Sequence, residues 1–424
     1  MNAPYRILSL DGGGIWALVQ VRTLQRLMGH PDVSGHEVLS QFDLVAANSG
    51  GSLVLAGLLE NLPLNELLDL FLEKSGRIFV PNAWPWHQLY NWLKIGPRYR
   101  TTEKLAGLRA VLPRSGRKTL QELHAELPAG PRRPHLMICG FEYDDRRGVF
   151  FRSDSASRAQ SHELARLVGF PSPPRVEKVT LAEAVHASSN APINFFNRPA
   201  NVRIETNGVG TRHLFWDGAV GGYNNPVLAA VVEALCNGHR AEDVAVLSLG
   251  TGGEFLPEVS TDVRTESPEL VRYQTQSLGW RMGIPRFVSD VKKLSTSILS
   301  DPPDAASFVA YTLLFQRELT AGTLRPSDSR FIRLSPLIQP VFAVRDGRPR
   351  WELPEGFSAE DFRLLKKYQL DAVTAEAIRL IGRFTDGWLL GNVPNQPVRA
   401  GEYLKPILGY GRFAEGEAAW RTWT

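Results

Sequence analysis

Apolar positions fall either into short unbroken runs or into longer series at helical spacing, and the two kinds alternate from the start of the chain. Residues 5–10, Tyr-Arg-Ile-Leu-Ser-Leu, read as a strand, after which Ile15, Leu18, Val19, Leu24, Leu27 and Met28 recur with a helical period. The apolar run at residues 42–46 leads through small residues into a helix-forming stretch at 53–60. Residues 213–217 end another predicted strand, and a helix over 227–235 follows, with Asn225 as its expected cap and Pro226 as its first residue. A further helix is predicted over 180–189. Ser358 is placed to cap one whose packed face carries Phe362, Leu365, Tyr368, Leu370 and Val373.

Chemistry concentrates where these apolar runs end. Ala47-Asn48-Ser49-Gly50-Gly51-Ser52 places one serine at the apex of a strand-to-helix turn, the layout of a nucleophile elbow. Such a turn leaves no room for large side chains two residues either side of the serine, and Ala47 and Gly51 stand there. The hydroxyl of Ser49 is then presented at the positive end of a helix. A serine that merely caps a buried helix is the competing reading, because Ala47 replaces the first glycine of the strict G-x-S-x-G pattern. Asp11-Gly12-Gly13-Gly14 joins the first strand to the first helix. Three glycines there expose several N–H groups in one concave turn, suited to a phosphate or an oxyanion. Gly12, Gly14 and Ala17 also fit a loose dinucleotide fingerprint with Asp32 or Glu37 as the ribose acid, but Gly29-His30-Pro31 interrupts the strand that fingerprint needs. Asp217-Gly218-Ala219 closes the set, with Asp217 read either as a turn former or as a chemical residue.

These segments, in this order, resemble the patatin-like phospholipase family. Its Asp-Gly-Gly-Gly loop is matched by residues 11–14, its elbow by Ala47 to Gly51, and its catalytic-aspartate motif by Asp217-Gly218-Ala219 with Asn224-Asn225-Pro226 downstream. Residues 187–192 before Phe195-Phe196, residues 247–252 and residues 331–337 are similar to quieter family segments. The resemblance implies a three-layer α/β/α fold with a central, mainly parallel sheet. It implies a catalytic domain over residues 1–340, and residues 345–424, which lie beyond the resemblance, read as a C-terminal helical extension. It also implies a serine acyl hydrolase that cleaves fatty-acyl esters of membrane phospholipids or related glycerolipids. In that reading Ser49 and Asp217 form a dyad without histidine, and Gly12, Gly13 and Gly14 hold the oxyanion. Some bacterial members are switched on by nucleotide signals in antiviral defence, so a small-molecule activator belongs among the expected partners. A Ser-His-Asp triad with His186 or His213 is the rival arrangement, and a catalytically silent lipid-binding protein on the same fold is the rival function.

The departures from the family pattern are specific. Trp16 and Ala17 stand where the glycine loop normally continues with arginine and glycine, so a less electropositive, more apolar wall is expected beside the loop. Trp16 is accordingly open to two readings: acyl-chain contact, or packing of the first helix on the sheet.

Composition narrows the setting. The 424 residues carry 48 Lys+Arg and 44 Asp+Glu, a net +4 spread without a basic block, and no basic–aromatic motif points to a nucleic-acid polymer. Cys139 and Cys236 cannot build a disulfide framework, no run of apolar residues is long enough to cross a membrane, and the first strand starts at residue 5. A cytoplasmic protein, peripheral to a membrane while it acts, is the expectation. No His/Cys spacing suggests a metal, and no cofactor is expected. Residues 75–100 are crowded with Phe79, Trp84, Trp86, Tyr90, Trp92 and Tyr99 among cations, which suits either a membrane-facing segment or a cap packed over the core.

Overall fold

The computed structural model of the chain describes residues 3–72, 99–153, 179–192, 195–206, 209–253, 304–338, 340–368, 374–398 and 408–423. Its centre is a mixed sheet. Strands β1 (Tyr5–Leu10), β2 (Leu44–Ala47), β3 (His135–Glu142), β4 (Arg147–Arg152), β5 (Ala200–Thr206), β6 (Val209–Asp217), β7 (Val244–Leu249) and β8 (Phe331–Leu334) build it in the order β5-β6-β3-β2-β1-β7-β8, with β4 added to β3. The five strands from β3 to β8 along this path are parallel, whereas β4 and β6 run antiparallel to β3, and β5 antiparallel to β6. Every residue of β2, β7 and β8 is buried, as expected of parallel strands covered on both faces.

Side chains that alternate along these strands divide into two apolar layers. Leu8, Leu10, Val45, Ala47, Leu247, Leu249, Ile332 and Leu334 enter one cluster, whereas Ile7, Leu44, Ala46, Val244, Val246 and Phe331 enter the other. Helices α1 (Leu18–Met28), α2 (Ser49–Leu59), α3 (Thr101–Val111) and α4 (Leu181–Ser188) cover the first face. Helix α5 (Val227–Cys236) and the helical residues 304–314 cover the second. Helix α2 is buried along almost its whole length, which explains why its sequence is apolar all round instead of striped.

Residues beyond 340 bury Phe362, Phe384, Trp388, Phe413 and Trp420 in the same cluster as β1 and β2. Helix α6 (Ala375–Leu389) lies on α1, and helix α7 (Phe413–Trp420) lies on β8. The extension is not wholly helical. A hairpin, β9 (Val341–Arg345) with β10 (Arg348–Glu352), turns through Asp346-Gly347, both at positive φ as a two-residue hairpin demands. Ser358 caps the helix Ala359–Lys367 through a capping box, as its sequence predicts. The start of α5 differs by one residue from expectation: Pro226 occupies the cap position, and Asn225 Oδ1 accepts the Val227 N–H at 3.0 Å.

Candidate active site

The sheet brings the predicted chemical residues together through one feature of β3. Over residues 137–142, one edge of β3 is occupied by β4, so β2 and β6 must share the other edge. There β2 ends opposite Ile138, whereas β6, running the opposite way, ends with Asp217 opposite Gly140. Two strand C-termini therefore meet almost head-on. Leu10 lies beside both Ala47 and Leu249, so the glycine loop leaves β1 at that same end of the sheet. This is the edge where open α/β sheets gather their functional loops.

Ser49 begins α2 with φ at +49°, a conformation that a non-glycine residue adopts only when its surroundings enforce it. The enforcing contacts are identifiable. The Ser49 N–H donates to Ser188 Oγ at 2.9 Å, and the Ser188 hydroxyl donates in turn to Asn48 Oδ1 at 3.3 Å. The Asn48 amide donates to Asp217 Oδ1 at 3.0 Å, and the Ala219 N–H donates to the same oxygen at 2.9 Å. Ser49 lies close enough to the Asp217 carboxyl to lower its pKa. Asp217 is a turn former, its side chain capping the turn Gly218–Gly221, and the same carboxyl is linked to the elbow through Asn48.

Small residues here are a packing requirement. A Cβ on Gly50 would lie 2.6 Å from the Gly14 carbonyl oxygen, and one on Gly51 would lie 2.4 Å from that of Leu10. A Cβ on Gly12 would sit 3.0 Å from Ser49 Cβ, and one on Gly218 would sit 2.4 Å from Asn48 Oδ1. The glycine loop therefore rests directly on the elbow. Ala47 is wholly buried, so its methyl group is accommodated where the strict motif has glycine.

One expected donor is lost. The Gly12 N–H donates to the Asn224 carbonyl at 2.7 Å and is thereby committed to the backbone. Gly14 opens a 3₁₀ turn, Gly14–Ala17, with Gly13 in its cap position, and the first N–H groups of such a turn have no partner within it. Among the described residues, neither Gly13 nor Gly14 has its N–H committed to a backbone carbonyl outside this turn. Trp16, in the same turn, is buried with the main apolar cluster. Its position matches the packing reading and not an exposed wall for acyl chains.

Electrostatics at the site are those of a dry interior. Burial pushes the Asp217 carboxyl above its ordinary pKa, opposed by nearby Ser49, by the Ala219 and Asn48 hydrogen bonds and by the charge of Lys104. Lys104 of α3 is itself buried and held well below its ordinary pKa by desolvation. Its ammonium donates to the His186 carbonyl at 3.3 Å and lies 4.4 Å from the centre of the Phe196 ring. Lys104 does not stand out in the sequence, and Ser188 does so only as part of the family-like segment 187–192, because a helix lysine and a serine near a helix end ordinarily face water.

Among the described residues no hydrogen bond joins either histidine of the triad alternative to Ser49. His186 lies inside α4, driven to its neutral form by burial, and among the described residues its Nδ1 has no hydrogen-bond partner. His213 lies four residues upstream of Asp217 on β6, with Nε2 2.9 Å from Thr211 Oγ1 and Nδ1 3.5 Å from Glu142 Oε1. Among the described residues no group of histidine, cysteine and acidic side chains could hold a metal ion, and no helix is long and apolar enough to cross a membrane. Of the aromatic segment only Tyr99 is described. Its N–H donates to Phe195 O at 2.7 Å, and its ring packs on Phe196, while Phe79 to Trp92 lie outside the described residues.

Residues 8–231 match the family model of the patatin-like phospholipases. A cGAMP-activated phospholipase of Pseudomonas aeruginosa is 30% identical over 149 residues, covering 35% of this chain and 40% of that protein. An intracellular phospholipase A2 of Caenorhabditis elegans is 35% identical over 78 residues, 18% of this chain and 7% of that protein. The matches thus span less than half the length of either relative. Among solved structures, VipD of Legionella pneumophila aligns over 91% of this chain and 67% of its own at 10% identity, with a TM-score of 0.31. Human GIVD cytosolic phospholipase A2 aligns over 36% and 22%, at 15% identity and a TM-score of 0.23.

Proposed function

The chain belongs to the patatin-like phospholipase family, and from that premise we propose that it is a serine acyl hydrolase acting on fatty-acyl esters of membrane phospholipids or related glycerolipids. The observation that carries the proposal is that the sheet brings Ser49, at the positive-φ start of α2, and the buried Asp217 carboxyl to one edge, where the Asn48 amide beside the serine donates to Asp217 Oδ1. Ser49 Oγ attacks the ester carbonyl carbon while its proton passes to Asp217, and the negative charge that forms on the carbonyl oxygen is held by the Gly13 and Gly14 N–H groups. Collapse of the tetrahedral species expels the glyceryl oxygen, which takes the proton from Asp217 and leaves Ser49 acylated. Water then attacks the acyl carbon and gives its proton to Asp217; collapse expels Ser49 Oγ, which takes that proton back, and the fatty acid is released. The upward shift of Asp217 makes it a stronger base than an exposed carboxylate, which is what a dyad without histidine requires.

The proposal places the protein in the cytoplasm, at a membrane surface during turnover, with residues 1–340 as catalytic unit and 345–424 as an extension. The likeness to a cGAMP-activated phospholipase supports a small-molecule activator as part of the same reading, and with it a role in antiviral defence. Product analysis by mass spectrometry on mixed phospholipid vesicles, with and without cyclic dinucleotides, tests it. Wild-type protein should release fatty acid and lysophospholipid, and Ser49→Ala should release neither. Equal release by Ser49→Ala would refute the nucleophile. Stable vesicle binding by the wild type without any product would favour the silent lipid-binding alternative.

A further inference from the structure

Asp11, the residue before the glycine loop, is buried and forms a two-pronged ion pair with Arg333 of β8: Nη1 to Oδ1 at 2.9 Å and Nη2 to Oδ2 at 2.6 Å. Arg333 is buried too, and its Nη1 also donates to Ser248 Oγ at 2.8 Å. The backbone of Asp11 is equally committed. Its N–H donates to Leu249 O at 3.0 Å, and its carbonyl accepts from Gln20 Nε2 at 2.9 Å and from the Gly51 N–H at 3.1 Å. One residue thus ties the glycine loop to the elbow helix through its carbonyl and to a strand two places away through its carboxylate. In register, Ser9, Ser248 and Arg333 lie side by side across β1, β7 and β8, so the guanidinium reaches Asp11 along one face of the sheet.

The far side of Arg333 is clamped by the extension. Asn395 Nδ2 donates to the Arg333 carbonyl at 3.0 Å and to the Tyr410 carbonyl at 2.9 Å, while Asn395 Oδ1 accepts the Ser335 N–H at 2.9 Å. Burying an ion pair gains little stability over a well-packed apolar pair, so its value lies in the geometry it imposes. Here the imposed geometry is the seating of the glycine loop on the elbow, where Gly12 approaches Ser49 and Gly14 approaches Gly50.

We propose that Arg333 is a positioning residue for the acyl-transfer reaction, fixing the oxyanion loop against the elbow through Asp11. The inference rests on the serine-hydrolase reading above. An interaction that matters only as charge forms on the substrate oxygen lowers kcat when lost and leaves KM nearly unchanged. Arg333→Met should therefore lower kcat by about 10²-fold with KM within about threefold, as expected for a loop displaced by about 1 Å. Arg333→Lys retains the charge and one prong, and should fall between wild type and Arg333→Met. Leu334→Ala, next to it on the same strand but facing the opposite apolar layer, serves as the stability control and should keep its kcat at a temperature where it is folded.

Kinetics on a soluble nitrophenyl ester, with thermal melts of every variant, decide the matter. Wild-type kcat in folded Arg333→Met would overturn the proposal. So would an equal fall in kcat for Leu334→Ala, since the effect would then be general loosening. If Arg333→Met does not fold, Arg333→Lys carries the test: a reduced kcat at unchanged KM supports the proposal, and an unchanged kcat overturns it. Failure of the hydrolase reading has its own mark, absence of turnover and of fluorophosphonate labelling at Ser49 in the wild type, which would remove this inference with it.

Discussion

Gly50→Ala is the substitution through which the contact between elbow and oxyanion loop can be weighed. A Cβ there would stand 2.6 Å from Gly14 O, 2.7 Å from Gly14 N and 3.0 Å from Ala17 Cβ. All three are backbone atoms or a Cβ, so none can rotate away. Ordinary contact begins at 3.4 Å, so the loop and α2 must part by about 0.8 Å. Forcing a methyl group into such a packed site costs about 1–3 kcal/mol, offset in part by the better helix propensity of alanine. The catalytic consequence is larger, because a misplacement of about 1 Å costs on the order of 10²-fold in rate. Gly57→Ala, in the same helix, is the matched control: its Cβ would meet Leu67 Cδ1 at 2.2 Å, the end of a side chain that can change rotamer. The assay is kcat on a short-chain nitrophenyl ester with a thermal melt beside it. Gly50→Ala should lose about two orders of magnitude in kcat while still folding, and Gly57→Ala should stay within about threefold of wild type. Full activity in Gly50→Ala, or an equal loss in Gly57→Ala, would refute the argument that this contact sets the oxyanion geometry.

Asp217→Asn should abolish turnover yet be more stable than wild type at neutral pH. The native carboxyl titrates above its ordinary value, so its contribution is intact below about pH 4 and is lost as pH rises through the raised pKa; the advantage of asparagine should vanish in acid denaturation scans near pH 4. His186→Ala and His213→Ala, measured with the same ester, should retain kcat within about tenfold, since removal of a general base costs 10²–10⁴-fold; a folded but inactive histidine variant would replace the dyad with a triad. Trp16→Ala should destabilise by about 3–5 kcal/mol and reduce kcat/KM uniformly across ester chain lengths, whereas a selective loss on long chains would return the ring to the substrate wall.

Much of the site was legible before any folding was considered, because its parts are local. Small residues at the ends of apolar runs mark turns that larger side chains cannot make, so Gly12 to Gly14, Ala47 to Gly51 and Gly218 were recognisable from spacing alone. The capping box at Ser358 and the unbroken apolar run of β2 are equally local, since a cap or a buried strand depends on neighbours a few residues away. What periodicity cannot state is which distant group answers a buried polar one. The pairing of Asn48 with Asp217, 169 residues apart, follows from β2 and β6 sharing one edge of β3. Commitment of the Gly12 N–H to Asn224 and burial of Trp16 depend likewise on contacts made after the sheet closes. Lys104 carries no local mark at all, and although Ser188 and Arg333 lie in segments that resemble the family, nothing local assigns either a polar partner. Their chemistry arises from desolvation, and only the packed tertiary structure decides which polar side chains lose their water.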